Sequence, residues 1–71
     1  MSYKELEIIR LKGVAMRSTD PRVKKNTIDA FAEYGRDGIK PILDIIVSPD
    51  TDDTVKQHGL AVIRNLRAQD L

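Results

Sequence analysis

Cysteine and tryptophan are absent from this 71-residue chain, histidine occurs once, and aromatic residues make up only 4% of it. Without cysteine there are no disulfide staples, no thiolate nucleophile and no cysteine zinc site. One histidine excludes a histidine-rich metal centre and a paired proton relay. No apolar run approaches the ~20 residues that span a bilayer, so no membrane association is expected. The opening Met1-Ser2-Tyr3-Lys4-Glu5 has neither the basic nor the apolar region of a signal peptide, so the expected location is cytoplasmic. The length suits one domain over residues 1–71. A chain this short buries only about 60% of the surface its unfolded form exposes, which leaves a thin stability margin.

The charge is nearly balanced, with 12 basic and 11 acidic residues, but unevenly placed. Residues 1–40 carry nine basic residues against six acidic, and residues 41–71 carry three against five. Such a gradient accompanies nucleic-acid contact or self-association, although mixed charge is also the ordinary state of a solvated surface.

No alternation of apolar and polar residues persists, and turn signals cut the chain into four pieces of helical length. Thr19-Asp20-Pro21 supplies a helix cap followed by a proline suited to the first turn. Gly35-Arg36-Asp37-Gly38 ends that piece, and Ser48-Pro49-Asp50-Thr51-Asp52-Asp53 breaks the chain again. Helices are predicted over about 3–17, 20–34, 38–48 and 53–68. The second places Val23, Thr27, Ala30, Phe31 and Tyr34 on one stripe, and the fourth Val55, Gly59, Val62, Ile63 and Leu66. The third is apolar almost all round. The first has two apolar stripes, Leu6-Ile9-Gly13-Met16 and Ile8-Leu11-Val14-Ala15, and a helix apolar on two sides needs neighbours on two sides. The expected core is Leu6, Ile9, Val14, Val23, Ala30, Phe31, Ile42, Leu43, Ile46, Val55, Ile63 and Leu66.

The sequence repeats at an interval of 32 residues. Asp20, Val23 and Lys24 fall on Asp52, Val55 and Lys56, while Ile28, Ala30, Phe31 and Tyr34 fall on Leu60, Val62, Ile63 and Leu66. Thr27 falls on Gly59, both small, as close helix approach requires. A helix–turn–helix period of this length is the mark of an α-solenoid. Asp20-Pro21-Arg22-Val23-Lys24, followed by Ala30-Phe31 and Gly35, resembles the first helix of a HEAT-like repeat. Ile39-Lys40-Pro41-Ile42-Leu43 resembles the start of its second helix, and Asp52-Asp53-Thr54-Val55-Lys56 the opening of the next repeat. The resemblance covers about residues 19–67. Lys24 and Lys56 replace the family's commoner arginine, Thr27 and Gly59 its alanine, and Asp53 its proline. Lysine lacks the bidentate fork, so the family's ladder of paired aspartate and arginine is not assured here. The resemblance implies an all-α fold of about two repeats, with four antiparallel helices in two layers. It also implies a scaffold that binds other proteins, since only a minority of the family bind nucleic acid or sit in enzymes.

The residues themselves offer little chemistry. Asp50-Thr51-Asp52-Asp53 is dense in acid, but a calcium loop starting at Asp50 would need glycine and glutamate where Val55 and Ala61 stand. The cluster reads instead as a complement to the dipole of the fourth helix. His58 falls on a polar face beside Asn65 with no second ligand, and reads as a solvated histidine. No nucleophile elbow, phosphate-cradling glycine loop or metal motif is present, so no enzyme activity and no cofactor are expected. Two candidate surfaces remain. Arg10, Arg17, Lys40 and Asp44, with Ile8 and Leu11 from the first helix, form a candidate protein-contact edge for a partner or a second copy. Arg17, Arg22, Lys24 and Lys25 surround the first inter-helix turn and are candidate phosphate contacts, the alternative being a nucleic-acid-binding role.

Overall fold

The structure, a computed structural model, describes residues 2–69. Its elements are α1 (Tyr3–Arg17), α2 (Pro21–Ala32), a 3-10 turn (Gly35–Gly38), α3 (Ile39–Ile46) and α4 (Asp53–Ala68), and no strand occurs among the described residues. Each boundary has a local cause. Ser2 caps α1: its Oγ accepts from the Glu5 amide at 3.2 Å, and its hydroxyl donates to the Glu5 carboxylate at 3.4 Å. Asp20 caps α2 by accepting from the Arg22 amide at 2.9 Å, and Pro21 occupies the first helical position. After α2 the chain turns at Gly35, the one described residue with positive φ, at 66°. Gly38 then passes so close to α2 that a Cβ there would fall 1.9 Å from the Phe31 carbonyl oxygen.

The C-terminal carbonyls of α1 and α3 are each closed by a side chain from the segment that follows. The Lys24 ammonium donates to the Ala15 carbonyl at 3.0 Å, and the Thr51 hydroxyl donates to the Ile45 carbonyl at 2.6 Å. Each of these carbonyls also accepts a backbone amide at 3.3 Å, from Ser18 and from Ser48, so the side chain fills a second lone pair near the helix end, and the ammonium also meets the negative pole of α1.

The core is one cluster of Ala15, Ile28, Phe31, Ile42, Ile45, Ile46, Val55, Ile63 and Leu66. α2 packs against α1, α3 and α4; α3 also packs against α1 and α4. Gly59 of α4 sits where the helices come closest, facing Ile28 of α2 and Ile42 and Ile46 of α3. Phe31, Ile42, Ile46, Val55, Ile63 and Leu66 are buried as expected, whereas Leu6, Ile9, Val14 and Leu43 are exposed, and Val23 and Ala30 are half-buried. Val14 and Leu43 each lie about 100° round the helix from a buried neighbour, Ala15 and Ile42, and so fall off the core face; the other corrections have two physical causes. α1 turns Ile8, Leu11 and Ala15 toward the core, so the stripe holding Leu6 and Ile9 points away. On α2 the buried residues are Lys24, Thr27, Ile28 and Phe31, a face rotated by roughly 60° from the expected stripe. Lys24 belongs to that face because its stem packs among apolar side chains while its ammonium finds a helix end.

Candidate interaction surface

α1 is fixed to the rest of the chain along its inner side. Near its start, Lys4 Nζ lies 2.5 Å from Asp37 Oδ2 beside the 3-10 turn. At its middle, Lys12 Nζ lies 3.2 Å from Asp44 Oδ2 of α3. At its end, Ala15 is buried and its carbonyl is held by Lys24. The Asp37 carboxylate, through its hydrogen bond and then its charge, holds the Lys4 ammonium above the usual lysine range, and Lys4 in turn holds Asp37 below the usual carboxylate range. Both groups are well exposed, so water screens the pair and its role is to set position more than to add stability.

With Lys4, Ile8, Leu11, Lys12 and Ala15 turned inward, helical geometry sends Leu6, Ile9, Gly13 and Met16 to the opposite side. Leu6 is 51% exposed, Ile9 53% and Met16 43%, and Tyr3 beside them is 92% exposed. Tyr3, Leu6, Glu7, Ile9 and Arg10 line a shallow depression on this side. Arg10 and Arg17 flank it, and the Arg17 guanidinium lies over Gly13, 3.2 Å from where a Cβ would stand. Isolated apolar side chains on a surface are commonplace; here three of them, Leu6, Ile9 and Met16, line up along one side of one helix. A second, smaller depression lies on α4 between Gln57, Leu60, Ala61 and Arg64.

The candidate contact residues divide between two places. Arg10 and Arg17 stand on the outward side of α1 with the exposed stripe. Lys40 and Asp44 lie on α3, 3.9 Å apart, with Asp44 half-buried and also engaged by Lys12. Ile8 and Leu11 are half-buried against the core, so a charge introduced at either would disturb the fold and not an outer contact. Tyr3, Leu6, Ile9 and Met16 are therefore the surface residues that sequence reasoning assigned elsewhere or passed over. Leu6, Ile9 and Met16 already stood together in one stripe; what the sequence lacked was a sign of which stripe faced out.

The candidate phosphate contacts are likewise dispersed. Lys24 is 2% exposed and committed to the Ala15 carbonyl, so it offers nothing to a phosphate. The Arg22 guanidinium folds back to Asp20, 3.4 Å from Oδ2, while the Arg22 amide and then its side chain hold the Asp20 carboxyl below the usual carboxylate range. Arg17 and half-buried Lys25 remain. His58, expected to be solvated, instead places Nε2 2.7 Å from Asp29 Oδ1 and so links α4 to α2.

No group of three or more histidine, aspartate or glutamate side chains among the described residues is placed to hold a metal ion. None of the described buried side-chain nitrogens or oxygens lacks a hydrogen-bond partner. No helix among the described residues is long and apolar enough to cross a membrane. What the outward side of α1 can do is bury apolar area and orient a partner with two guanidinium groups. No protein-family model, no curated protein and no solved structure matches this chain.

Proposed function

We propose that this chain is a small, non-enzymatic protein-interaction module of HEAT-like design, and that it docks protein through the outward side of α1. The observation that carries the reading is the stripe of Leu6, Ile9 and Met16, extended by Tyr3 and bordered by Arg10 and Arg17. Its composition, apolar side chains with an aromatic and arginines, is the one enriched at protein interfaces.

The HEAT-like, two-layer part of the reading has three supports. The 32-residue sequence repeat relates α2 to α4. α2 packs on α4 and α1 on α3, the pairing that alternate layers produce. The smallest extent of the Cα trace is 16 Å. Two helices with axes ~10 Å apart and Cα radii of ~2.3 Å would span about 15 Å.

Site-specific photo-crosslinking tests the docking. A benzophenone amino acid replaces Ile9 in one preparation and Gln57 on α4 in another, and each is irradiated in an extract of the source cells. Discrete covalent protein adducts at position 9, depleted when Met16→Glu is added, are the expected result. Adducts no more abundant at position 9 than at position 57 would overturn it.

A further inference from the structure

We propose that the occupant of the outward side of α1 is α1 of a second copy of this chain, packed antiparallel across a two-fold axis near residue 11; the inference rests on the docking reading above. Three observations converge on this partner. The first is spacing. Leu6, Ile9, Gly13 and Met16 are separated by three, four and three residues, a pattern that reads the same in both directions. Two such stripes running oppositely bring Leu6 against the partner's Met16 and Ile9 against the partner's Gly13. A two-fold interface requires this self-complementarity, each contact occurring twice.

The second observation is shape. Gly13 is the one position in the stripe without a side chain, and the nearest atoms above it belong to the end of the flexible Arg17 side chain. In the antiparallel arrangement the half-exposed Ile9 of each copy enters the gap at Gly13 of the other, a large residue into a small one. In a parallel arrangement glycine would face glycine and leave that layer empty, which close packing disfavours. The packing therefore selects the direction.

The third is charge and area. About the same axis, Arg17 of one copy falls level with the gap between Tyr3 and Glu7 of the other, so each guanidinium meets an aromatic face and a carboxylate. The copies carry a net charge of only +1 each, so whole-molecule repulsion is small. Arg10 meets its own counterpart near the axis, where Glu7 offsets the like charge. Tyr3, Leu6, Ile9 and Met16 together present on the order of 500 Å² per copy, which, fully covered, brings a pair to the ~1,000 Å² at which specific interfaces begin. A dimer at that lower limit is a reversible one.

The absence of cysteine makes the arrangement directly testable. Leu6→Cys and Met16→Cys variants are treated with a short bismaleimide, separately and as an equimolar mixture. The expected result is covalent dimer in the mixture and little in either variant alone. Leu6→Cys cross-linking to itself as readily as to Met16→Cys would overturn the antiparallel pairing. Sedimentation equilibrium across a concentration series supplies the second arm. Wild type should pass from 8.0 kDa toward twice that mass, and Ile9→Glu, exposed and therefore still folded by circular dichroism, should weaken association by on the order of 100-fold. Gly13→Leu should weaken it too, by filling the gap that Ile9 enters. A wild-type chain that stays at 8.0 kDa to high micromolar concentration overturns the inference. If that monomer still forms an adduct with a different protein at position 9, the docking reading survives; if it forms none, both fall.

Discussion

Replacing glycine by alanine inside a helix ordinarily stabilises a protein by about 0.5–1 kcal/mol, because the unfolded chain loses freedom and the helix gains a favourable side chain. The two helix-interior glycines here should respond with opposite signs. At Gly13 the new methyl group meets only the end of the Arg17 side chain, 3.2 Å away, and that guanidinium can move aside. Gly13→Ala should therefore keep the ordinary gain. At Gly59 the methyl group would lie 2.5 Å from Ile46 Cγ2 and 3.4 Å from both Ile28 Cδ1 and Ile42 Cγ2. Ordinary carbon contacts are about 3.5–4.0 Å, so about 1 Å or more must be recovered by moving a stiff β-branched side chain that is itself buried. Overpacking of this kind costs about 1–3 kcal/mol, which leaves a net loss between zero and about 2.5 kcal/mol after the helix gain is subtracted; a 2.5 Å approach to a buried, branched side chain puts Gly59→Ala in the upper part of that range, at roughly 1–2.5 kcal/mol. In a domain of this size 1 kcal/mol moves the melting temperature by about 4–8 °C. Gly59→Ala should lower it by about 4–20 °C and Gly13→Ala raise it by about 2–8 °C. Thermal unfolding followed by far-ultraviolet circular dichroism, at the lowest workable protein concentration so that pairing through α1 plays no part, gives both numbers. A Gly59→Ala variant melting at or above wild type would refute the close approach of α4 to α2 and α3.

Phe31, the sole phenylalanine, has no exposed surface, so Phe31→Ala should cost about 3–5 kcal/mol and largely unfold the chain; retention of the native helical signal and a melting temperature within a few degrees would contradict its central place. Asp20 and Asp37 both ionise below the usual carboxylate range in the folded chain, so their stabilising contribution is full above that range and is lost as pH falls through their lowered values. The Asp20→Asn/Asp37→Asn double variant should lose less melting temperature than wild type between neutral and acidic pH, and an equal loss would refute the linkage. Fluorescence anisotropy with a labelled duplex and a labelled single strand should give weak, steeply salt-dependent binding at most, because Lys24 is buried and Arg22 is engaged by Asp20; submicromolar affinity at about 150 mM salt would restore the nucleic-acid role.

The helices were legible in the sequence because their ends carry residues whose local chemistry acts without tertiary help. Asp20-Pro21 starts α2 and Gly35 ends it, and each expected boundary falls within two residues of the observed one. The inward side of α4 was legible for a different reason: its apolar positions form a single stripe, so only one orientation buries them. α1 defeats that logic because its two stripes are nearly equal in apolar content, and the polar groups that hold its inward side, at Lys4, Lys12 and Lys24, pair with residues 33, 32 and 9 positions away. α3 is apolar on nearly every side, which hid the burial of Ile45 and the exposure of Leu43. Lys24 was misread for its charge. A stem of four methylenes allowed it into the core once a helix end was waiting for the ammonium, and no pattern in the sequence announces such a meeting.

The bond from Lys24 to the Ala15 carbonyl also bears on how α1 is held. Among the described residues α1 places only Ala15 fully in the core, with Ile8 and Leu11 half-buried beside it. Undocking it returns a dehydrated ammonium to water, so the bond that closes the helix opposes its departure less than its burial suggests. α1 is thus the natural unit of sub-global opening, with amides that exchange before those of α2, α3 and α4. Whatever grips its outward side then acts as a clasp from without, shifting that opening equilibrium by its own binding free energy and tying the local stability of α1 to occupancy.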